Sequence, residues 1–229
     1  MPALTQLSLD SDHFPDISHA LAEPNGLLAV GGDLRPSRLL AGYRQGIFPW
    51  FAHESPILWW SPDPRCVIFP DQLHITRSLF KSLRHRGYTV TFDKAFTDVM
   101  QQCAAPRRSQ QDTWITDDMI AAYQTLHQQK IAHSVETWST SGELVGGLYG
   151  VTIGQIFCGE SMFHKATDAS KVALIYLCKY LCAWGYQLLD CQLPNPHLLS
   201  LGAKELARHS YLNKLVELRD KTVDEEAWQ

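Results

Sequence analysis

The sequence predicts a mixed α/β (α+β) fold, of a length that allows one large domain or two small ones, turn-rich at its N-terminal end and alternating helices with antiparallel strands after it. Three observations predict it. The first 70 residues are crowded with turn formers, among them Pro24-Asn25-Gly26, Gly31-Gly32-Asp33 and Pro36. After Trp114 the apolar spacing changes from helical to strand-like and back, in the order helix, strands, helix, strand, helix. The chain has 229 residues, 45% of them hydrophobic and 19% charged, which is enough to bury a core and too apolar for disorder.

The elements follow in order. "PSRLLAGYRQG" reads as a helix with Pro36 at its first position and Gly46 as its stop. "GIFPWF" and "ILWWSPDPRCVIF" place Trp50, Phe51, Trp59 and Trp60 between prolines. Such aromatic density is either a core wedge under a loop or a stacking platform for a base or an aromatic side chain. "ITRSLFKSLRHRGY" reads as a helix with Arg77, Lys81 and Arg84 on one face and Ile75, Leu79, Phe80 and Leu83 on the other. "YTVTFD" is a strand and "KAFTDVMQQCAA" a helix. In "TWITDDMIAAYQTLHQQK", Thr116 is the N-cap, Asp117 and Asp118 occupy the first turn, and Met119, Ile120, Tyr123 and Leu126 recur at helical spacing. "AHSVETWSTSGELVGGLYGVTIGQIFCGESMF" reads as three strands turning at Ser141-Gly142 and Ile153-Gly154. "ASKVALIYLCKYLCAWG" is an apolar helix stopped by Gly185, "YQLLDCQL" a strand, and "NPHLLSLGAKELAR" a short helix and turn. "HSYLNKLVEL" closes the fold, and the tail "RDKTVDEEAWQ" reads as frayed.

Several classes are excluded. The N-terminus carries acids and no apolar run, so it reads as no signal peptide, and no run is long enough to cross a membrane. Six scattered cysteines with no C-x-x-C pair give no metal site and suit a reducing, cytoplasmic setting. Gly31-Gly32-Asp33 lacks the Lys and Ser/Thr of a phosphate loop, which removes nucleotide hydrolysis. Net charge is −4, yet the stretch from Arg65 to Arg108 holds eight bases against three acids. The basic helix within it is either a solvated face or a ridge that contacts nucleic-acid phosphates.

The chemistry gathers in "LLDCQLPN". Asp190 and Gln192 lie two residues apart in an apolar strand, a spacing that aims both side chains at one face. Polar groups there must be hydrogen-bonded or face a cavity, because burying one unpaired costs roughly 2 kcal/mol or more. Glu160 sits in a second apolar strand, "FCGESMF". Two carboxylates and an amide among apolar strands mark either a reaction cleft or a structural polar network.

The order after Trp114 resembles the GNAT acyltransferase fold. "MFHKATDASK", before the apolar helix, is no pyrophosphate loop, so the donor expected is other than acetyl-CoA. Ordered blocks from about Phe14 to Tyr211, "EPNGLLAVGGDL", "GIFPWF", "LWWSPDPR", "TWIT", "AHSVE", "LVGGLYG", "FCGESMF", "ASK", "LDCQ" and "SLGA", resemble the bacterial leucyl/phenylalanyl-tRNA–protein transferase family. That resemblance implies transfer of Leu or Phe, and less well Met, from aminoacyl-tRNA to the N-terminal Arg or Lys of proteins, creating an N-degron for proteolysis. It implies a small N-terminal α/β domain, with its boundary between residue 65 and about residue 110, followed by a GNAT-like acyltransferase domain over 111–229. It implies no cofactor, and a monomer is expected.

The resemblance also assigns residues. Asp190, Gln192 and Glu160 are the implied catalytic group, with Gln192 aiming the attacking amine, Asp190 orienting Gln192, and the proton acceptor left open. Trp50 and Trp114 are implied to stack on the terminal adenosine, and Asn195 to hydrogen-bond the donor end. Leu148, Phe157, Met162, Leu177, Leu181 and Leu189 form the implied apolar donor pocket. Arg77, Lys81, Arg84 and Arg86 become implied contacts to the tRNA acceptor stem, made to its backbone charge and shape. The rival from another class is a module that captures aminoacyl-tRNA or peptide N-termini without chemistry.

Overall fold

The computed structural model describes residues 4–105 and 115–229. Trp114, with Arg107 and Arg108, lies outside the described residues. In chain order the elements are β1 (Thr5–Leu7), β2 (Leu27–Gly31), α1 (Pro36–Tyr43), β3 (Phe48–Pro49), β4 (Leu58–Trp60) and β5 (Arg65–Ile68). There follow α2 (Arg77–His85), β6 (Thr89–Phe92), α3 (Phe96–Ala104), α4 (Asp117–Gln128), β7 (Ala132–Trp138), β8 (Leu144–Ile153) and β9 (Ile156–His164). The chain ends in α5 (Ala169–Ala183), β10 (Leu188–Gln192), α6 (Pro196–Ser200), β11 (Lys204–Leu206) and α7 (Arg208–Leu218).

Two sheets result, a four-stranded one in the order β1-β2-β4-β3 and a seven-stranded one in the order β11-β5-β10-β9-β8-β7-β6. The small sheet ends at Trp60, and β5 already belongs to the large one, so residues 65–92 contribute strands to the larger sheet. One hydrophobic cluster joins the sheets, with Ala29 and Trp59 from the small and Val67, Tyr149, Val151 and Leu188 from the large. A second cluster gathers Val135, Leu148, Phe157 and Leu189 against α5. Leu188 and Leu189 fall in different clusters because successive strand side chains point to opposite faces.

The local chemistry of the elements is that read from the sequence. Pro36 opens α1, Thr116 Oγ1 accepts from Met119 N–H at the start of α4, and the meander β7-β8-β9 turns at Gly142 and Gly154, both at positive φ. All neighbouring pairs in the large sheet are antiparallel except β9 and β10, which run parallel and are joined by the crossover helix α5. The order helix, antiparallel strands, helix, strand, helix is the one expected from the sequence. The parallel ladder stops early: Leu188, Leu189 and Asp190 pair with Ile156, Phe157 and Cys158, and beyond them the two strands part.

Three expectations are corrected here. The tail is docked: Val223, Ala227 and Trp228 pack on the second cluster, because Trp228 finds aromatic partners far away in sequence. In α2, Leu79 is buried and Leu83 half-buried, but Ile75 and Phe80 are exposed at 38% and 53%. Phe80 lies three residues after Arg77 and four before Arg84, so it shares the basic face rather than opposing it. Asp190 and Gln192 do not share one face of a regular strand. The β10–β5 ladder shifts register between them, which leaves Cys191 as an extra residue and holds Gln192 at a left-handed φ of 57°.

Candidate active site

The parting of β9 and β10 opens a cavity of about 160 Å3. Its apolar wall comes from Leu148 on β8, Phe157 and Met162 on β9, Leu174 and Leu177 on α5, and Leu189 on β10. At its rim stand Glu160 and Gln192, with Asn195 beyond. An apolar cavity of this size holds a molecule as large as benzene, which is the scale of one phenylalanine or leucine side chain.

Each rim residue is placed by a bulge. The β8–β9 ladder pairs Tyr149 with Ser161 and Gly150 with Gly159, so Glu160 is the extra residue on β9. Gly150 permits the close approach: a Cβ there would lie 2.2 Å from the Cys158 carbonyl oxygen and 2.5 Å from the Phe157 ring. Bulges re-aim side chains, and here two adjacent ones turn Glu160 and Gln192 toward each other. Gln192 Nε2 donates to Glu160 Oε1 at 2.9 Å. A carboxylate only accepts, so the amide nitrogen faces it and Gln192 Oε1 is left to receive a donor.

Glu160 Oε2 accepts from the Tyr123 hydroxyl at 3.2 Å, and the Tyr123 hydroxyl is in turn hydrogen-bonded to that of Tyr43. Burial raises the Glu160 carboxyl to about 7, and the nearby Asp190 charge adds to the rise, while hydrogen bonds from Tyr43, Tyr123 and Gln192 oppose it. Burial and the Glu160 charge push both phenols well above the ordinary tyrosine value, so they remain donors at neutral pH.

Asp190 has a different setting. Arg65 grips it with Nε on Oδ1 at 2.8 Å and Nη2 on Oδ2 at 2.7 Å, and the Tyr211 hydroxyl donates to Oδ2 at 2.7 Å. Asp190 Oδ1 also accepts from the backbone N–H of Gln192 at 3.0 Å. Asp190 thus meets Gln192 through the backbone of the bulge, while Glu160 holds the side-chain amide. Arg65 also donates to the Gly46 carbonyl at 3.0 Å and lies over the Phe48 and Tyr211 rings at 4.9 and 4.6 Å. Burial works against the Arg65 charge, but Asp190 outweighs it and holds the guanidinium above its ordinary value.

Of the residues implied by resemblance, the structure brings Glu160, Gln192, Asn195, Leu148, Phe157, Met162, Leu177 and Leu189 to the cavity. Leu181 is buried in the core beneath it and does not line it. Trp50 does not line it either. It is 41% exposed at the edge of the small sheet, its ring 5.6 Å from that of Trp60. Asn195 Oδ1 accepts from Leu198 N–H and caps α6. Arg77, Lys81, Arg84 and Arg86 are all exposed. Arg65, Tyr43, Tyr123 and Tyr211 were missed. The one sequence signal for Arg65 was a charge opening the apolar run "RCVIF". Among the described residues, no group of three or more His, Cys, Asp or Glu is arranged to hold a metal ion.

Comparison with known proteins gives the family. A sequence family described as "Leucyl/phenylalanyl-tRNA protein transferase" matches residues 67–216, and its N-terminal domain matches residues 32–63. A protein named leucyl/phenylalanyl-tRNA–protein transferase from Nitrosomonas europaea is 59% identical over 205 residues, covering 90% of this chain and 86% of that protein. One of the same name from Hahella chejuensis is 57% identical over 220 residues, covering 96% and 93%. Among solved structures, a GCN5-related N-acetyltransferase from Kribbella flavida aligns with a TM-score of 0.39 and 11% identity over 75% of this chain and 61% of that one. With both segments matched in order and relatives near 60% identity along almost its whole length, the chain belongs to the leucyl/phenylalanyl-tRNA–protein transferase family.

Proposed function

We propose that this protein moves leucine or phenylalanine, and methionine less well, from the 3′ end of charged tRNA to the N-terminal Arg or Lys of a protein, marking it for proteolysis. The work is cytoplasmic, where charged tRNA is found. The observation that carries the reading is the cavity between β9 and β10, apolar in its wall and carrying the Glu160–Gln192 pair at its rim. The cavity takes the donor side chain, and the ester carbonyl then lies near the rim.

The α-amine of the acceptor attacks that carbonyl. A C–N bond forms, the ester C–O bond breaks, the amine loses one proton and the ribose oxygen gains one. An α-amino group titrates near 7.7–8, so it needs little activation, and orientation supplies most of the acceleration. Gln192 Oε1 accepts an N–H of the amine and aims its lone pair. Glu160, raised to about 7, is matched to accept the proton near neutral pH and return it to the leaving oxygen. Asp190 and Arg65 keep the bulge that presents Gln192. The exposed arginines and lysine of α2 contact the phosphates of the acceptor stem, with Trp50 and Trp114 assigned to the terminal adenosine.

The test charges one tRNA body with Leu, Phe, Met or Val and mixes each with an Arg-starting peptide. Transfer of Leu and Phe, reduced transfer of Met and little of Val is expected. Retention of charged tRNA with no labelled peptide at any time would instead establish a capture module without chemistry.

A further inference from the structure

Phe157 has two sides. One faces the donor cavity, and the other faces the docked tail. On the tail side the indole of Trp228 stacks on the Phe157 ring, centroids 5.5 Å apart and planes 24° from parallel. The backbone at Gly150 closes another edge of the ring. Phe157 is thus wedged in place, and its position fixes how deep the cavity runs.

Trp228 is itself held on several sides. Its Nε1 donates to the Tyr186 hydroxyl at 2.9 Å, and its ring stacks on His133 at 4.2 Å and 15°. His133 Nδ1 lies 2.6 Å from Asp93 Oδ2. Trp184 and Phe92 pack at 4.9 and 5.8 Å. The tail is also tied through its backbone, with Asp224 N–H on the Trp184 carbonyl at 2.9 Å and the Thr222 carbonyl accepting from Gln155 Nε2 at 2.8 Å. Trp228 lies outside the family match over residues 67–216, and it does not line the cavity.

Resting on the aminoacyl-transfer reading, the geometry points to Trp228 as a positioning residue that selects the donor by holding Phe157 against the cavity. Without the indole, Phe157 can retreat into the space it leaves, and the cavity deepens. Donors of different length then gain unequally: leucine loses its close wall, and a longer aromatic gains room. A small apolar difference in such a pocket is worth about tenfold or more in discrimination, so even a partial retreat is measurable.

The experiment compares wild type, Trp228→Ala, Trp228→Leu and Trp228→Phe, with leucine, phenylalanine and 2-naphthylalanine each charged on one tRNA body. Trp228→Ala should raise the naphthylalanine-to-leucine ratio of kcat/KM by about fivefold or more, with KM for the acceptor peptide and affinity for uncharged tRNA unchanged. Trp228→Phe, which restores a flat ring, should return most of the wild-type ratio. If Trp228→Ala does not fold by circular dichroism, Trp228→Leu, which keeps apolar volume and loses the flat face, carries the same comparison. A uniform fall in rate for all three donors, at constant ratio in folded variants, overturns the role given to Trp228. A wild type that labels no peptide with any donor overturns the aminoacyl-transfer reading instead.

Discussion

Glu160 and Asp190 lie near each other and differ in what surrounds them. Glu160 is buried beside a cavity, and that burial, helped by the nearby Asp190 charge, outweighs the hydrogen bonds it accepts, so its proton is retained to about pH 7. The rate of transfer should therefore rise with pH through about 7 in the wild type, and Glu160→Gln should leave only the limb set by the acceptor amine near 7.7–8, with tRNA affinity intact, as a pH profile of single-turnover rates will show. The same shift has a cost. A carboxyl raised above its unfolded value of 4.5 contributes stability that is full below that value and is lost as pH rises through about 7. Asp190, gripped by Arg65, is a structural anion. Asp190→Asn leaves a buried guanidinium without its counter-charge and should cost about 3–5 kcal/mol in denaturant unfolding. The oddity of Asp190, Gln192 and Glu160 was legible in sequence because polar residues stand out in apolar strands. Their partners were not: Arg65 lies 125 residues from Asp190, and an extra residue in a ladder leaves no mark on a local pattern.

At the level of elements, α2 shows how a period can be read with one residue misplaced. Its basic stripe is legible from the spacing, yet Phe80 sits within that stripe. An exposed ring among cations suits an unpaired base, by stacking. Changing Arg77, Lys81 and Arg84 together to Ala should flatten the dependence of log K on log salt by up to about three, one for each phosphate that is no longer neutralised. Phe80→Ala should weaken tRNA binding at every salt concentration and leave that slope alone, since stacking releases no counterions. Binding titrations at several salt concentrations separate the two. The meander β7-β8-β9 was legible down to its turns, because Gly142 and Gly154 occupy conformations that other residues resist. The tail was not, since one tryptophan in a charged run says nothing about Phe157, His133 and Trp184 waiting elsewhere.

Across the whole molecule, the two sheets share one hydrophobic cluster, and Tyr43 on α1 reaches the hydroxyl that supports Glu160. A single cooperative transition is expected in calorimetry, with loss of activity at the same temperature. Two transitions would mean that the small sheet melts independently. The sequence left the boundary between residue 65 and about residue 110 because composition alone does not show which sheet a short strand joins. Arg65 makes the division concrete. It falls between the two matched segments, 32–63 and 67–216, yet it binds Gly46 on one side and Asp190 and Tyr211 on the other. For anyone building chimaeras from relatives, the safe junction lies before Pro64: cut there, the cation travels with its anion, whereas a junction after Arg65 hands each parent's charge to a stranger.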